Sequence, residues 1–272
     1  MTATTAPASR DRFEEADTAD LDGLLAHRRW QRRARPFPHV VADSVFTPTF
    51  AHRLAEDFGR VFEGAGYDTN HDFVGTSLIR GRCGALDVFL SPGWLALAAG
   101  LFDVPGPCYL TGGIHRHRPG SRDGFPHNDI HPERLRRTTT PGELLTGSGS
   151  DRADGTAAGR SGTDAMPQGL AVRAVAMLYY LGDTSWAPGD GGETGLYWDW
   201  KDPVGQPVRR AAPRHNSLFA FGCNPHSYHS FMTNRRPRDS VIVFLYQPLE
   251  QYLAQWGDEG LRQYAEYGRH DV

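Results

Sequence analysis

NPHSYHSFMTNRRPRDSVIVFLY, residues 224–246, is the stretch on which the reading of this chain turns. Ser240–Tyr246 is a nearly continuous apolar run, the pattern of a strand buried on both faces. Thr233–Pro237 is a polar turn, and residues 226–232 before it read as a shorter strand. On that strand His229 shares a face with Ser227 and Phe231, whereas His226 falls with Tyr228 and Ser230. Arg238 opens the second strand nine residues beyond His229, and Ser240, two positions on, faces the same way. A guanidinium grips a carboxylate through two parallel hydrogen bonds, and a hydroxyl adds a third. The pair is suited to holding the far carboxylate of a dicarboxylate whose other end chelates a metal.

Outward from this stretch the texture is similar. Short apolar or alternating segments at 108–118, 124–130, 171–181, 193–198, 217–222 and 239–247 are separated by Gly, Pro, Asn and Asp. Many short strands with turn signals predict a mainly β sandwich, barrel or jelly roll. Before residue 105 the chain reads as one early strand, His39–Ala42, and amphipathic helices. One helix starts at Thr47-Pro48 and carries Phe50, Leu54, Phe58 and Val61 at helical spacing. Ser91-Pro92 starts another, with Trp94, Leu97, Ala98 and Leu101 on one face. The expected organisation is a polar extension over 1–35 and a single domain over 36–272. Within that domain, 36–105 is helical, 106–248 is the β core, and 249–272 is one C-terminal helix docked through Leu249, Tyr252, Leu253 and Trp256. Residues 138–169 are rich in Gly, Ser, Thr and Asp without a period, so a disordered insert is expected there.

Composition removes several functional classes. At 272 residues with 39% hydrophobic content the chain buries a sizeable core without staples. A net charge of -3 speaks against a general nucleic-acid binder, and the Arg28–Arg35 basic cluster reads as a solvated face. Cys83, Cys108 and Cys223 are scattered, which argues against a disulfide scaffold or a thiolate metal site. No apolar run approaches the ~20 residues of a membrane span. The first residues lack an apolar signal region, so a cytoplasmic location is expected. The 12 histidines are unevenly spread, seven of them lying in the windows 115–131 and 215–229.

GFPHNDIH, residues 124–131, supplies the complementary half of the chemistry. His127 and Asp129 are two apart, so on a strand an imidazole and a carboxylate point the same way. With a further His from a distant strand they complete a two-His, one-carboxylate triad with three open positions, which suits non-heme Fe(II). His131 reads as a near-site or surface residue. His115 and His117 form an H-x-H pair, an alternative metal pair of cupin type that lacks the Glu and later His of that pattern. Arg116 and Arg118, on the opposite face, read as lining the outer sheet.

Taken in order, these pieces resemble the Fe(II)/2-oxoglutarate-dependent oxygenases, and within them the prolyl-hydroxylase-like branch, from Arg35 to about Gln247. RPFPHVVADSVF resembles that branch's entry, PHND its H-x-D, AMLYYLGDTSWAPGDGGETGLYW its central strands and Gly-Gly turn, NPHSYHSF its distal His, and RPRDSVIVFLY its Arg-x-Ser strand. The resemblance implies a double-stranded β-helix, a jelly roll with flanking helices. It implies His127, Asp129 and His229 as iron ligands, and Arg238 with Ser240 on the C5 carboxylate of 2-oxoglutarate. Tyr180 matches a family tyrosine that reaches the same carboxylate; a core-packing role fits it equally well. The chain departs from the pattern in the 100 residues between Asp129 and His229, a length the 138–169 insert accounts for, and in having Arg118 where relatives carry Tyr before the Pro-Gly turn.

The function so implied is a dioxygenase that consumes O2 and 2-oxoglutarate, releases succinate and CO2, and hydroxylates an unactivated C–H bond, with ascorbate as a stimulant. Asp129 argues for hydroxylation over halogenation, since related halogenases have Gly or Ala there. The expected substrate is a small metabolite, amino-acid-derived or a natural-product intermediate, free or carrier-bound. The alternatives are a prolyl or other residue of a peptide or protein, and a jelly-roll binding module without catalysis. No nucleic-acid or membrane partner is expected.

Overall fold

Two apolar runs become the two longest strands, and the rest of the chain is arranged on their two faces. The computed structural model describes residues 21–69, 72–137, 143–147, 157–159, 170–182 and 184–267. In chain order the elements are α1 (Leu21–Leu24), β1 (Gln31–Arg33), β2 (His39–Ala42), α2 (Pro48–Phe62), β3 (Gly66–Asp68) and β4 (Phe73–Ser77). A 3-10 turn (Gly84–Leu90), α3 (Pro92–Leu101), β5 (Tyr109–His117), β6 (Glu133–Arg137), β7 (Glu143–Gly147) and β8 (Ala157–Gly159) follow. Then come β9 (Leu170–Leu181), β10 (Thr194–Leu196), β11 (Arg209–Ala211), β12 (Ser217–Gly222), β13 (His229–Phe231), β14 (Arg238–Pro248), α4 (Leu249–Trp256) and α5 (Glu259–Tyr267).

The large sheet runs β1-β2-β12-β9-β14-β5-β4-β3, with β6 added to β9 and β7 and β8 beyond it. The small sheet runs β11-β10-β13, and its far edge is extended by a bridge between His127 and His229. Every pairing is antiparallel. This is a jelly roll, mainly β with flanking helices.

Alternation along β9 and β14 divides the core. Tyr179, Met177, Val241 and Val243 point to the helical side. There Phe46 packs against Phe50, Phe89, Trp94 and Tyr179 with ring centroids 5.2, 5.8, 5.7 and 5.3 Å away. Such pairs add ~0.5–1.5 kcal/mol each beyond the burial of their area. Tyr180, Leu178 and Ala176 point the other way, where Leu196 and Ala211 of the small sheet meet them with Phe219, Phe221, Ile130 and Phe37. The candidate residues Tyr180, Arg238 and Ser240 lie on this inner face. No single helix among the described residues is long and apolar enough to cross a membrane; the bent pair Gly84–Leu90 and Pro92–Leu101 buries Phe89, Leu90 and Trp94 in the core.

Several expectations are corrected. The domain begins earlier than residue 36: Leu21 and Leu25 are buried, and Gln31–Arg33 pairs with β2 as an edge strand. Its three side chains are all exposed, so no hydrophobic alternation betrayed it. The segment before residue 105 also contributes β3 and β4 to the sheet edge. Residues 124–130 are not a strand; they run beside β13, with Gly124 N donating to Phe231 O at 2.9 Å and the isolated bridge between His127 and His229. The C-terminal helix is two helices, divided at Gly257, whose φ of 65° ends α4. Tyr252 is the buried anchor, while Leu253 and Trp256 are exposed. Thr47 precedes its helix without a side-chain cap, whereas the Ser91 hydroxyl accepts from Trp94 N at 3.2 Å. Within the expected insert, β7 and β8 are strands, and residues 138–142, 148–156 and 160–169 lie outside the described residues.

Candidate metal centre

The two candidate histidines are tied to each other through their backbones. His127 N donates to His229 O at 3.1 Å, and His229 N donates to His127 O at 3.0 Å. A pair that exchanges both bonds puts its side chains on one face. The rings stand 4.5 Å apart. Each ring is also oriented from behind. His127 Nδ1 lies 2.9 Å from Phe125 O, and His229 Nδ1 lies 3.0 Å from Ser227 O. A proton on Nδ1 donated to those carbonyls leaves both Nε2 lone pairs facing inward, as metal-binding imidazoles require.

Asp129 reaches the same point by a different route from the one expected. The peptide turns at Asn128, whose side chain accepts from Ile130 N at 3.0 Å. Asp129 then adopts φ 65°, a left-handed conformation that Asp tolerates better than most residues. Its Oδ2 lies 3.4 Å from His229 Nε2 and its Oδ1 3.6 Å from His127 Nε2. One ligand atom from each of the three residues falls within 4.8 Å of the others, the sole such group among the described residues. Ligands about 2.1 Å from one ion stand roughly 3 Å apart, so small rotations close the triad.

The electrostatics favour a cation here. Burial, with His229 beside it, lowers the His127 imidazole to about 4, so it is neutral and a free donor near neutral pH. Burial would raise the Asp129 carboxyl, but Arg173 foremost, with His229 and His127, holds it well below the ordinary carboxylate range.

Arg238 and Ser240 share the inner face of β14. Arg238 sits across from His117, and Ser240 between Tyr180 and His115. The Arg238 guanidinium lies between aromatic faces, 5.1 Å from the Tyr180 ring and 5.0 Å from that of Phe231. Its Nε and Nη1 are buried without a hydrogen-bond partner, and so is Ser240 Oγ. Burial lowers the Arg238 pKa from its ordinary value, against the opposing pull of Tyr180. Phe231 and His229 alternate on β13, so the guanidinium rests on a ring roughly 7 Å along the strand from a candidate ligand. The Tyr180 hydroxyl is 2.9 Å from Thr194 Oγ1. The turn before β14 is held by Gly191, at φ 76°, where a Cβ would lie 2.2 Å from Thr233 O.

The remaining sequence candidates separate. His226 is exposed. His115 stacks on Phe73 and His117 on Phe231, at 3.7 and 3.9 Å, and they join no metal-holding group among the described residues. Arg116 makes a bidentate pair with Asp239 on the outer face, Nε and Nη2 each 2.6 Å from a carboxylate oxygen. All three cysteines are buried and free. His131 pairs with Glu133 at 2.5 Å and stacks on Tyr264 of α5.

Sequence reasoning missed Arg173 and Glu133. Arg173 Nη1 donates to Asp129 Oδ1 at 2.5 Å, Nη2 to Glu133 Oε1 at 3.3 Å, and Nε to the Tyr246 hydroxyl at 3.3 Å. The signal was present: Arg173 is the one charge within the apolar run 171–181.

No family model matches the chain, and no curated protein matches it. Among solved structures it is similar to the prolyl 4-hydroxylase of Phytophthora capsici, at 18% identity over 94% of this chain and 72% of that one, with a TM-score of 0.49. A Pseudomonas putida prolyl-4-hydroxylase is 17% identical, over 76% of this chain and 91% of that one, with a TM-score of 0.47. The non-heme alpha ketoglutarate dependent epimerase SnoN from nogalamycin biosynthesis is 14% identical, over 77% of each chain, with a TM-score of 0.49.

Proposed function

We propose that the chain is an Fe(II)- and 2-oxoglutarate-dependent oxygenase of prolyl-hydroxylase type. One observation carries this reading: the same inner face holds a His-Asp-His group with converging ligand atoms and a buried guanidinium whose Nε and Nη1 have no partner. A buried, unpartnered Arg is costly and calls for an anion. A two-His, one-carboxylate set leaves coordination positions for a chelating cosubstrate and O2. The donor set and the orphaned donors therefore fit Fe(II) and a dicarboxylate together.

In this reading His127, Asp129 and His229 hold the metal. Arg238 and Ser240 hold the remote carboxylate of 2-oxoglutarate, with the Tyr180 ring packed beneath the guanidinium. Bound iron supplies O2 activation coupled to oxidative decarboxylation of the cosubstrate to succinate and CO2. Phe125 and Ser227 carbonyls keep the imidazoles in the tautomer that presents Nε2. Phe221, 4.4 Å from the His229 ring, with Phe231 and Ile242, keeps the floor of the site apolar and excludes bulk water.

The proposed reaction is hydroxylation of an unactivated C–H bond in a small metabolite. Of the three ligand side chains only His127 is appreciably exposed, at 30%, against 8% for Asp129 and 10% for His229. In this proposal a compact substrate reaches the metal on the His127 side, where the Phe125 ring lies 5.2 Å from the imidazole. Ascorbate stimulation and a cytoplasmic location belong to the same proposal. The test is succinate release by purified protein given Fe(II), 2-oxoglutarate and either a small-molecule panel or proline-containing peptides. His229→Ala should abolish substrate-dependent succinate. Release that persists in that variant sinks the metal assignment, and turnover on peptides alone sinks the small-molecule choice.

A further inference from the structure

The position of Arg173 depends on one irregularity in the large sheet. β9 and β14 pair in strict register from Asp239 opposite Leu181 to Leu245 opposite Val175. The register then slips by one, and Tyr246 pairs with Arg173 while Ala174 is left over. This is a β-bulge, which turns the following side chain to the other face. In unbroken register Arg173 would follow Tyr179, Met177 and Val175 into the apolar cluster beneath the helices. The extra residue instead sends it to the inner face beside Phe244, with its guanidinium carbon 3.9 Å from that ring's centroid.

There every nitrogen of the guanidinium is committed. Nε goes to Tyr246, Nη1 to Asp129 Oδ1 and Nη2 to Glu133. Glu133 is in turn held by the Tyr246 hydroxyl at 3.0 Å and by His131 at 2.5 Å. Three of the five Arg173 N–H donors are held by Tyr246, Asp129 and Glu133, which fixes the plane of the guanidinium. Of Asp129 it reaches one oxygen. The other, Oδ2, is the oxygen turned toward His229.

We propose that Arg173 is a positioning residue for the metal. It clamps Asp129 Oδ1 so that the carboxylate binds through Oδ2 alone and keeps the third coordination position open beside it. This rests on the triad reading above. Hydrogen bonds behind a metal ligand commonly govern affinity by about 10–100-fold, and a carboxylate freed of its clamp donates more charge to the ion.

The experiment is an anaerobic titration of the full chain with Co(II), and then with Fe(II) and 2-oxoglutarate. Wild type is compared with Arg173→Met and Arg173→Lys. The Met variant should bind Co(II) about 10–100-fold more weakly. Its iron–2-oxoglutarate charge-transfer band should move to longer wavelength, a shift that loss of packing alone does not produce. The Lys variant keeps the charge and the stem over Phe244, and should fall between the two. It also serves as the test if the Met variant does not fold. Wild type that binds Co(II), with both affinity and band unchanged in the variants, overturns the clamp alone. Wild type that takes up no Co(II) overturns the clamp together with the triad reading.

Discussion

Arg238→Met separates a ligand-binding arginine from a structural one, because the two roles move stability and affinity in opposite directions. In the free protein Arg238 is 5% exposed, with Nε and Nη1 unpartnered. Each unsatisfied buried donor costs about 1–3 kcal/mol. The Tyr180 and Phe231 faces return ~0.5–2 kcal/mol each. At the midpoints of these ranges the residue is about 1–2 kcal/mol unfavourable. Met fills much of the same volume without a charge, so the variant should be as stable as wild type or up to ~3 kcal/mol more stable, in line with other buried charges replaced by apolar groups. At about 2–4 °C per kcal/mol for a domain of this size, thermal unfolding should shift upward by up to roughly 10 °C. Affinity for 2-oxoglutarate should fall steeply. Two charge-assisted bonds at ~1.5–3 kcal/mol each amount to about 3–6 kcal/mol, or roughly 10²–10⁴-fold in dissociation constant. Calorimetric titration of the anaerobic Fe(II) protein measures the affinity, and urea unfolding measures the stability. A variant that is destabilised by several kcal/mol yet binds 2-oxoglutarate as well as wild type would refute the assignment.

Two further outcomes follow from the same structure. Burial, with Arg238 and His115 beside it, lowers the His117 imidazole to about 2. The unfolded chain takes up that proton near 6.5 and the folded one does not, so stability is lost as pH falls below 6.5. The loss is about 1.5 kcal/mol by pH 5. His117→Phe should escape it, as read by urea unfolding at pH 6.5 and 5.0 with chelator present; equal losses in both proteins would contradict the stated cause. Asn216 ties the start of β12 to the loop before α2: Oδ1 accepts from Phe46 N and the Tyr179 hydroxyl, each at 3.0 Å, and Nδ2 donates to Phe46 O at 2.8 Å. Asn216→Ala orphans these buried groups and should cost ~2–4 kcal/mol, and a loss below ~1 kcal/mol in urea unfolding would show that they find other partners.

The legible parts of the molecule are those where burial and period agree. Ala171–Leu181 and Ser240–Tyr246 are apolar throughout because both faces are covered, and both are central strands. Arg238 and Ser240 could be placed on one face because β14 keeps a regular register there. The convergence of His127 and Asp129 was legible from their types and spacing, but the means was not. A strand was expected, and the structure uses an Asn128 turn and a left-handed Asp129. Arg173 was hidden for a sharper reason. It stands out as the one charge in an apolar run, but counting by twos from Tyr180 assigns it to the helical face, and the period does not show the bulge that reverses this. β1 was illegible because an edge strand exposed on both faces needs only its backbone to pair.

The central claim, one iron and one 2-oxoglutarate on the inner face of the jelly roll, is tested most directly by anaerobic titration of the purified chain with Fe(II) and then 2-oxoglutarate, monitored in the visible range. Wild type should bind one equivalent of each and develop the weak charge-transfer band of a chelated cosubstrate. The band should be absent in His229→Ala and should need far more 2-oxoglutarate in Arg238→Met. A wild-type chain that binds neither, or a band that persists unchanged in both variants, would contradict the account.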